Sequence, residues 1–566
     1  MAFILICIIC RIFFYITAPT EIIDKIFSVK FNNPPRVDNI VFRFINYFLL
    51  LGILGLLIST VSNSRFNERV KKIIENALVK FSRMLNLNVL LIVSLIYLAV
   101  LFFLAVTRYD LGFDEAWYIV WSKNFASTGI AYYSYDGITG LIDTITMLPY
   151  YILSILNFKL GLTEVWHFKL LGSVLSLISL FVFYRISSTL YDKSTAILFV
   201  FFLILQPGFG FLASSFFGEV LQGAFMFYGL FVWFGKDENI NKRKIILTSL
   251  LFAIAIHTKF QLMMILPAAF VVLYFANKKT KALNVAAYTI IFAFIIILIR
   301  LIPVMAKDVS LARNLLIVDM LAGISANTYS LQGILEKFQL YNRFFPLLAF
   351  TGISFVFFFY MKSAFEKFIF IFTLISTFWW IFLYPYSTYR HPFIGIITLS
   401  IMLAIIIKKF SEQYLRNGKI VPFKFVSAIA LLLIMLYGFS TNLIYAYIGY
   451  NDGVQFDLSG VKSRSFGEIK YDGSQKEFYA GVKKLISPHD TLYGSTFVSE
   501  VYTGMPIFTK VKLIESFSDE CFVLITRETY PLDIQQGHNF IDSISAEKTL
   551  LLKAGKNELY KIKKRK

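Results

Sequence analysis

Cysteine is scarce: of 566 residues only Cys7, Cys10 and Cys521 carry a thiol, and Cys7-Ile-Ile-Cys10 has no second pair to complete a metal-ligand pattern. That excludes a disulfide framework and a cysteine-based zinc site. Charge is scarce too, at 16% of residues against about 25% in an ordinary soluble domain. No Gly-rich phosphate loop, HExxH or GxSxG segment occurs, which removes nucleotide-driven transport, zinc proteolysis and serine hydrolysis from consideration. No Asn-x-Ser/Thr sequon occurs either, an absence that leans toward a bacterial source. Apolar residues are abundant at 57%, with 62 Phe and 32 Tyr, too many for a disordered chain. The net charge of +20 would suit nucleic acid if the basic residues formed one patch. They stand instead at the ends of apolar runs, as in a polytopic membrane protein. The expected surroundings are membrane lipids, not nucleic acid.

The first apolar run, Ala2–Thr17, has no basic leader and carries Arg11, so it reads as a retained helix and not a signal peptide. A second run spans Val41–Ser62 and a third Leu87–Val106. Between them Ser64–Arg83 holds six basic residues, which places that linker in the cytoplasm and the segment 107–165 outside. Further spans are expected at His167–Tyr184, twice between Lys193 and Lys236, at Leu283–Ile302, at Phe344–Tyr360, in a hairpin Phe368–Ile407 turning at Pro385–Pro392, and at Phe425–Tyr447. The stretch between Lys244 and Lys278 has basic flanks at both ends and so needs an even number of crossings. Two full crossings need about 40 residues. The hairpin must therefore be short, with His257–Lys259 sunk below the outer surface. The expected architecture is an all-α polytopic membrane protein of about 13 transmembrane helices with a small extracytoplasmic α/β C-terminal domain. Its boundaries are 1–86 for two N-terminal helices and the basic linker, 87–448 for the main membrane domain, and 449–566 for the outer domain. In the last, Lys476–Ile486 has helical spacing, and Thr491–Tyr493, Cys521–Thr526, Thr549–Lys553 and Glu558–Ile562 look like strands.

Charged residues gather at the expected outer face. Asp114 and Glu115 open a helical stretch containing Trp117, Tyr118 and Trp121; they read either as a helix start on an interfacial aromatic belt or as catalytic carboxylates. Glu219 begins an apolar helix, where an ionisable group at membrane depth is costly and usually functional. Lys259 at the hairpin tip needs an anionic partner or a wet cavity, and His257 beside it is no metal site by itself. Arg390 follows Tyr389 in a tip that ends at Pro392, and its planar fork suits phosphate oxygens. A carboxylate to accept a proton and cations to hold a departing phosphate suit transfer from a lipid phosphate. A transporter or flippase for a lipid-linked sugar would use the same charges, although no internal repeat is evident. A scaffold binding envelope partners is the remaining alternative.

The segments Phe113-Asp-Glu-Ala-Trp-Tyr118, Ser214-Ser-Phe-Phe-Gly-Glu219, His257-Thr-Lys259 and Tyr389-Arg-His-Pro392 resemble motifs of the GT-C membrane glycosyltransferases. The nearest-looking branch holds protein O-mannosyltransferases, the aminoarabinose transferase and RgtA/B/C/D-like enzymes. The resemblance covers about Leu87–Tyr447 and implies an inverting transfer of sugar from a polyprenyl phosphate to an envelope acceptor, in a plasma membrane with the C-terminal domain outside. It implies Asp114 as the base, Glu115 beside it as a catalytic residue that orients sugar or acceptor, Lys259, Tyr389 and Arg390 at the donor phosphate, and Glu219, His257 and Asp136 near sugar or acceptor. Many relatives have Asp where Glu219 stands, and often a His-Pro-Pro segment where Tyr135–Thr139 lies, so recognition here would differ. No metal ligand set is implied, and carboxylates alone leave open whether a divalent ion assists.

Overall fold

The computed structural model describes residues 92, 94–100, 102–103, 111, 113–128, 132–135, 138–141, 155–206, 209–214, 218–235, 241–259, 262–277, 280–306, 354, 357–383, 393–417, 474–487, 490, 492–493, 497–505, 520–526, 542, 546–554 and 557–564. The expected spans at 2–17, 41–62 and 425–447, and the tip carrying Tyr389 and Arg390, lie outside these residues.

After the third expected span comes α1 (Phe113–Thr128), with both acidic residues in its first turn, where carboxylates complement the helix dipole. Its aromatics do not form an exposed belt. Trp121 is fully buried, Tyr118 nearly so, and the two rings meet edge to face at 5.5 Å. A hairpin of β1 (Tyr132–Tyr135) and β2 (Ile138–Leu141) follows, paired from Tyr132↔Leu141 to Tyr135↔Ile138. Only Asp136-Gly137 separates the strands, the two-residue signature of a tight hairpin turn.

The membrane-directed part continues with α2 (Val165–Leu190), α3 (Lys193–Ile204), α4 (Phe209–Ser214) and α5 (Glu219–Phe234). Asp192 accepts from the Thr195 N–H to start α3, and Asn241 does the same for Lys244 at the start of α6 (Lys242–Thr258). Then come α7 (Leu262–Asn277), α8 (Thr280–Met305), α9 (Ala364–Phe378), a π-helical turn (Trp379–Leu383) and α10 (Phe393–Asn417). The helix α5 packs on α2 and α6, α6 on α8, and α10 on α3 and α9. Gly229 makes the α5–α6 approach possible, since a Cβ there would sit 2.5 Å from the Phe252 ring. Phe183, Phe199 and Phe227 join α2, α3 and α5, with centroids 5.2–5.6 Å apart.

Among the described residues, three helices are long and apolar enough to cross a membrane: 165–190, 281–299 and 364–382. Two more, Lys193–Ile204 and Glu219–Phe234, are apolar but short. One face of α2 exposes Leu170, Val174, Leu177, Ile178 and Phe181, and α8 exposes Ile291, Ile295, Leu298 and Ile302. Such contiguous apolar stripes suit lipid, not water. The expected short hairpin is α6 and α7, of 17 and 16 residues. At about 1.5 Å per residue each covers about 25 Å, short of the roughly 30 Å hydrocarbon core.

The C-terminal residues build a four-stranded sheet in the order β3-β4-β6-β5, from β3 (Leu492–Tyr493), β4 (Glu520–Ile525), β5 (Ala546–Ala554) and β6 (Asn557–Lys564). The first two strands are parallel and the rest antiparallel. Helix α11 (Ser474–Leu485) lies on β5, burying Phe478, Tyr479 and Val482 at helical spacing. Helix α12 (Phe497–Thr503) packs against α1, so the C-terminal unit reaches the helix that bears Asp114 and Glu115.

Candidate functional site

Two buried carboxylates at helix starts are each met by a lysine from another helix. On α1, both oxygens of Glu115 accept from Lys169 Nζ of α2, at 2.9 and 2.7 Å. Both residues are buried, at 0% and 1% exposure. Desolvating two charges is expensive, and the close geometry with both oxygens engaged is what makes such a pair tolerable. Its consequence is positional: the first turn of α1, where Asp114 precedes Glu115, is tied to α2.

On α5, Gly218 takes a left-handed φ of 84°, which a side chain would resist, and Glu219 follows as the first helical residue. Lys259, the residue that ends α6, donates from Nζ to Glu219 Oε1. Gln222, one turn along α5, donates from Nε2 to the Lys259 carbonyl and at 3.3 Å to that of Ala255. Glu219, Gln222 and Lys259 are thus closed into one ring of contacts, all within 5% exposure. Two acceptors in that ring, Glu219 Oε2 and Gln222 Oε1, have no hydrogen-bond partner among the described residues.

Of the residues singled out from sequence, the structure brings Glu219 and Lys259 together. His257 points elsewhere: its Nε2 lies 2.9 Å from the Ala293 carbonyl of α8, which can only accept, so Nε2 carries the hydrogen. The backbone of Asp114 is in α1, whereas Asp136, Tyr389 and Arg390 lie outside the described residues. Lys169 and Gln222 were not legible as site residues. The signal for Lys169 was available, a lone lysine in an apolar run. Among the described residues no three His, Cys, Asp or Glu side chains gather to hold a metal ion.

The junction of α1 and α12 adds a titrating group. Lys123 of α1 stands 3.8 Å from Glu500 of α12. Burial raises the Glu500 carboxyl and the Lys123 ammonium lowers it by less, leaving it pushed up to about 7. Cys521 is no nucleophile, since burial in β4 and the neighbouring Glu520 push its thiol up to about 12.

No protein-family model matches the sequence, and no curated protein matches it at the sequence level. Solved structures do match in shape. ArnT from Cupriavidus metallidurans bound to undecaprenyl phosphate aligns with a TM-score of 0.59 at 12% identity, over 84% of this chain and 97% of that one. The apo form of the same protein gives 0.57 at 12% identity, over the same shares of both chains. The archaeal oligosaccharyltransferase AglB from Archaeoglobus fulgidus, in complex with an inhibitory peptide and a dolichol-phosphate, gives 0.45 at 12% identity, over 76% of this chain and 69% of that one. The chain therefore shares its fold with ArnT.

Proposed function

We propose that the chain is an integral membrane glycosyltransferase that moves a sugar from a polyprenyl-phosphate donor to an envelope acceptor at the outer face of a bacterial plasma membrane. The observation that carries this reading is the match to ArnT over nearly all of that protein's length, in a structure holding undecaprenyl phosphate. Fold alone does not fix chemistry, so the residues must supply a route. Asp114 takes the proton of the acceptor hydroxyl as its oxygen attacks the anomeric carbon. The bond from that carbon to the phosphate oxygen breaks on the opposite face, and configuration inverts. The leaving polyprenyl phosphate is a stable anion and needs no general acid.

Glu115, with both oxygens on Lys169, serves this scheme by holding the turn of Asp114, not by accepting a proton. The Lys259 ammonium has three donors, so it can bridge Glu219 and the donor phosphate, with Arg390 and Tyr389 as further phosphate contacts. Purified protein supplied with a polyprenyl-phosphate sugar and envelope lipids tests the reading. Release of polyprenyl phosphate together with a glycosylated acceptor supports it. Movement of the intact donor across a vesicle membrane without bond cleavage would replace it with a flippase.

A further inference from the structure

We propose that α12 is a proton-dependent clamp on α1: it holds that helix in place while Glu500 is neutral and loosens as Glu500 ionises. The consequence for catalysis rests on the glycosyl-transfer reading, because α1 carries Asp114 in its first turn; the clamp itself does not. Helix α12 packs on α1 and on α11. Within that contact Val498 and Ser499 are fully enclosed, and Tyr502 stacks on Tyr479 of α11 with centroids 5.0 Å apart. Into this packing the sequence places one carboxylate, Glu500, whose side chain is only 13% exposed.

An enclosed carboxylate is tolerated when a cation meets it closely, as Lys169 meets Glu115 at 2.7 and 2.9 Å. Glu500 is served far less well. Lys123 Nζ stands 3.8 Å away, beyond hydrogen-bond reach, and that side chain is 46% exposed, so water screens it. From α11 the junction receives the phenol of Tyr479, while Lys476, Glu477, Lys483 and Lys484 of that helix are exposed. Burial therefore outweighs the ammonium and holds the carboxyl up at about 7. Parted from α1, Glu500 would meet water and return toward its ordinary 4.5. The docked form thus binds the proton more tightly than the undocked one. Docking is strongest below the ordinary value, weakens by at most about tenfold per pH unit above it, and levels off past about 7. The first turn of α1 stays tied to α2 by Glu115 and Lys169. Release at Lys123 then lets the helix swing about that point, which misaims Asp114 without detaching it. Such a misplacement slows the chemical step more than it weakens donor binding.

The test uses the full-length protein in lipid nanodiscs and two measurements across about pH 5 to pH 8. The first is amide hydrogen-exchange protection of residues 117–124, corrected for the intrinsic pH dependence of exchange. It should fall as pH rises, by at most about tenfold per unit. Glu500→Gln, neutral at every pH, should hold protection flat at the low-pH level. Glu500→Asp should keep the decline, and Lys123→Met should move it to higher pH. The second is the single-turnover rate at saturating polyprenyl-phosphate sugar, with envelope lipids from a strain lacking the protein as acceptors. The unaltered protein should show a falling limb over the same range, absent in Glu500→Gln, with donor KM nearly unchanged. A packing role alone would lower protection and rate equally at every pH in Glu500→Gln, and that result overturns the clamp. Protection independent of pH in the unaltered protein overturns it whatever the rates do. Protection that follows pH as expected, with no transfer from any donor, upholds the clamp and overturns the glycosyl-transfer reading instead.

Discussion

Glu115–Lys169 and Glu219–Lys259 use the same two residue types in the same setting, a carboxylate in the first turn of a helix met by a lysine of a neighbouring one. They differ in saturation. Glu115 gives both oxygens to one ammonium, whereas Glu219 gives one and leaves the other unpartnered among the described residues. The first pair behaves as a lock because both oxygens of its carboxylate are engaged by the same ammonium. The second engages one oxygen only and leaves the other enclosed without a hydrogen-bond partner among the described residues. Residue identity does not separate the two pairs; the number of carboxylate oxygens that the lysine engages does.

The largest effect tests the residue that the lock positions. Asp114→Asn should reduce transfer by about 10²–10⁴-fold while donor binding persists, as expected for loss of a general base. Near-normal turnover would return Asp114 to a helix-start role and leave the lock with nothing catalytic to position. Next in size is the lock itself. Lys169→Met strands a buried carboxylate and should destabilise the protein by about 3–5 kcal/mol, seen as lost yield and a lower melting temperature in detergent. Adding Glu115→Met should recover much of that loss, because a charge-free pair leaves no uncompensated ion.

The two glutamates can also be compared directly. Glu115→Gln should lower stability more than it lowers transfer by the folded fraction, and Glu219→Gln the reverse. Equal behaviour of the two variants would erase the distinction drawn between them. For the lysines, Lys259→Met should weaken donor binding well beyond Lys123→Met, measured as donor affinity and single-turnover rate. Lys123 lies on α1. It is half-exposed but paired with Glu500, so its substitution should register at the junction of α1 and α12.

The smallest effect concerns that junction. Glu500 is raised in the folded state from an ordinary value of 4.5 to about 7, so the folded protein holds that proton more tightly than the unfolded chain. The associated stability is full below the unfolded value and is lost as pH rises through about 7. Melting temperature should therefore fall between about pH 5 and pH 8. Glu500→Gln should remove that slope, and Lys123→Met should extend the decline to higher pH, because the lowering influence of the ammonium is gone.

What was legible in sequence follows from range. The short hairpin of α6 and α7 was readable because its basic flanks and its length act locally. The C-terminal strands were readable because alternation and turn residues act over a few positions, and their observed bounds differ from expectation by at most three residues. The β1–β2 hairpin was missed although Asp136-Gly137 announces it. The ion pairs were another matter. Glu115 and Lys169 are 54 positions apart and Glu219 and Lys259 are 40 apart, so each was visible as an isolated charge and neither as a pair. The saturation that distinguishes them is set by packing of α1 on α2 and of α5 on α6, which no local pattern encodes. The same holds for Trp117, Tyr118 and Trp121, which look like an interfacial belt until α12 is seen to pack on that helix.

The helix α1 is held at two places whose partners are made at very different times. Lys169 emerges soon after Glu115, so the lock can close while most of the chain is still unsynthesised. Glu500 lies far downstream of Lys123, and at about 5–20 residues per second it arrives tens of seconds later. During that interval the part of α1 that will meet α12 faces its surroundings uncovered, with Trp121 and its neighbours not yet enclosed by their final partner. The early clamp fixes the helix to the bundle at its start and leaves its later turns waiting. Assembly of the surface around α1 is thus ordered in time by where along the chain each lysine finds its glutamate.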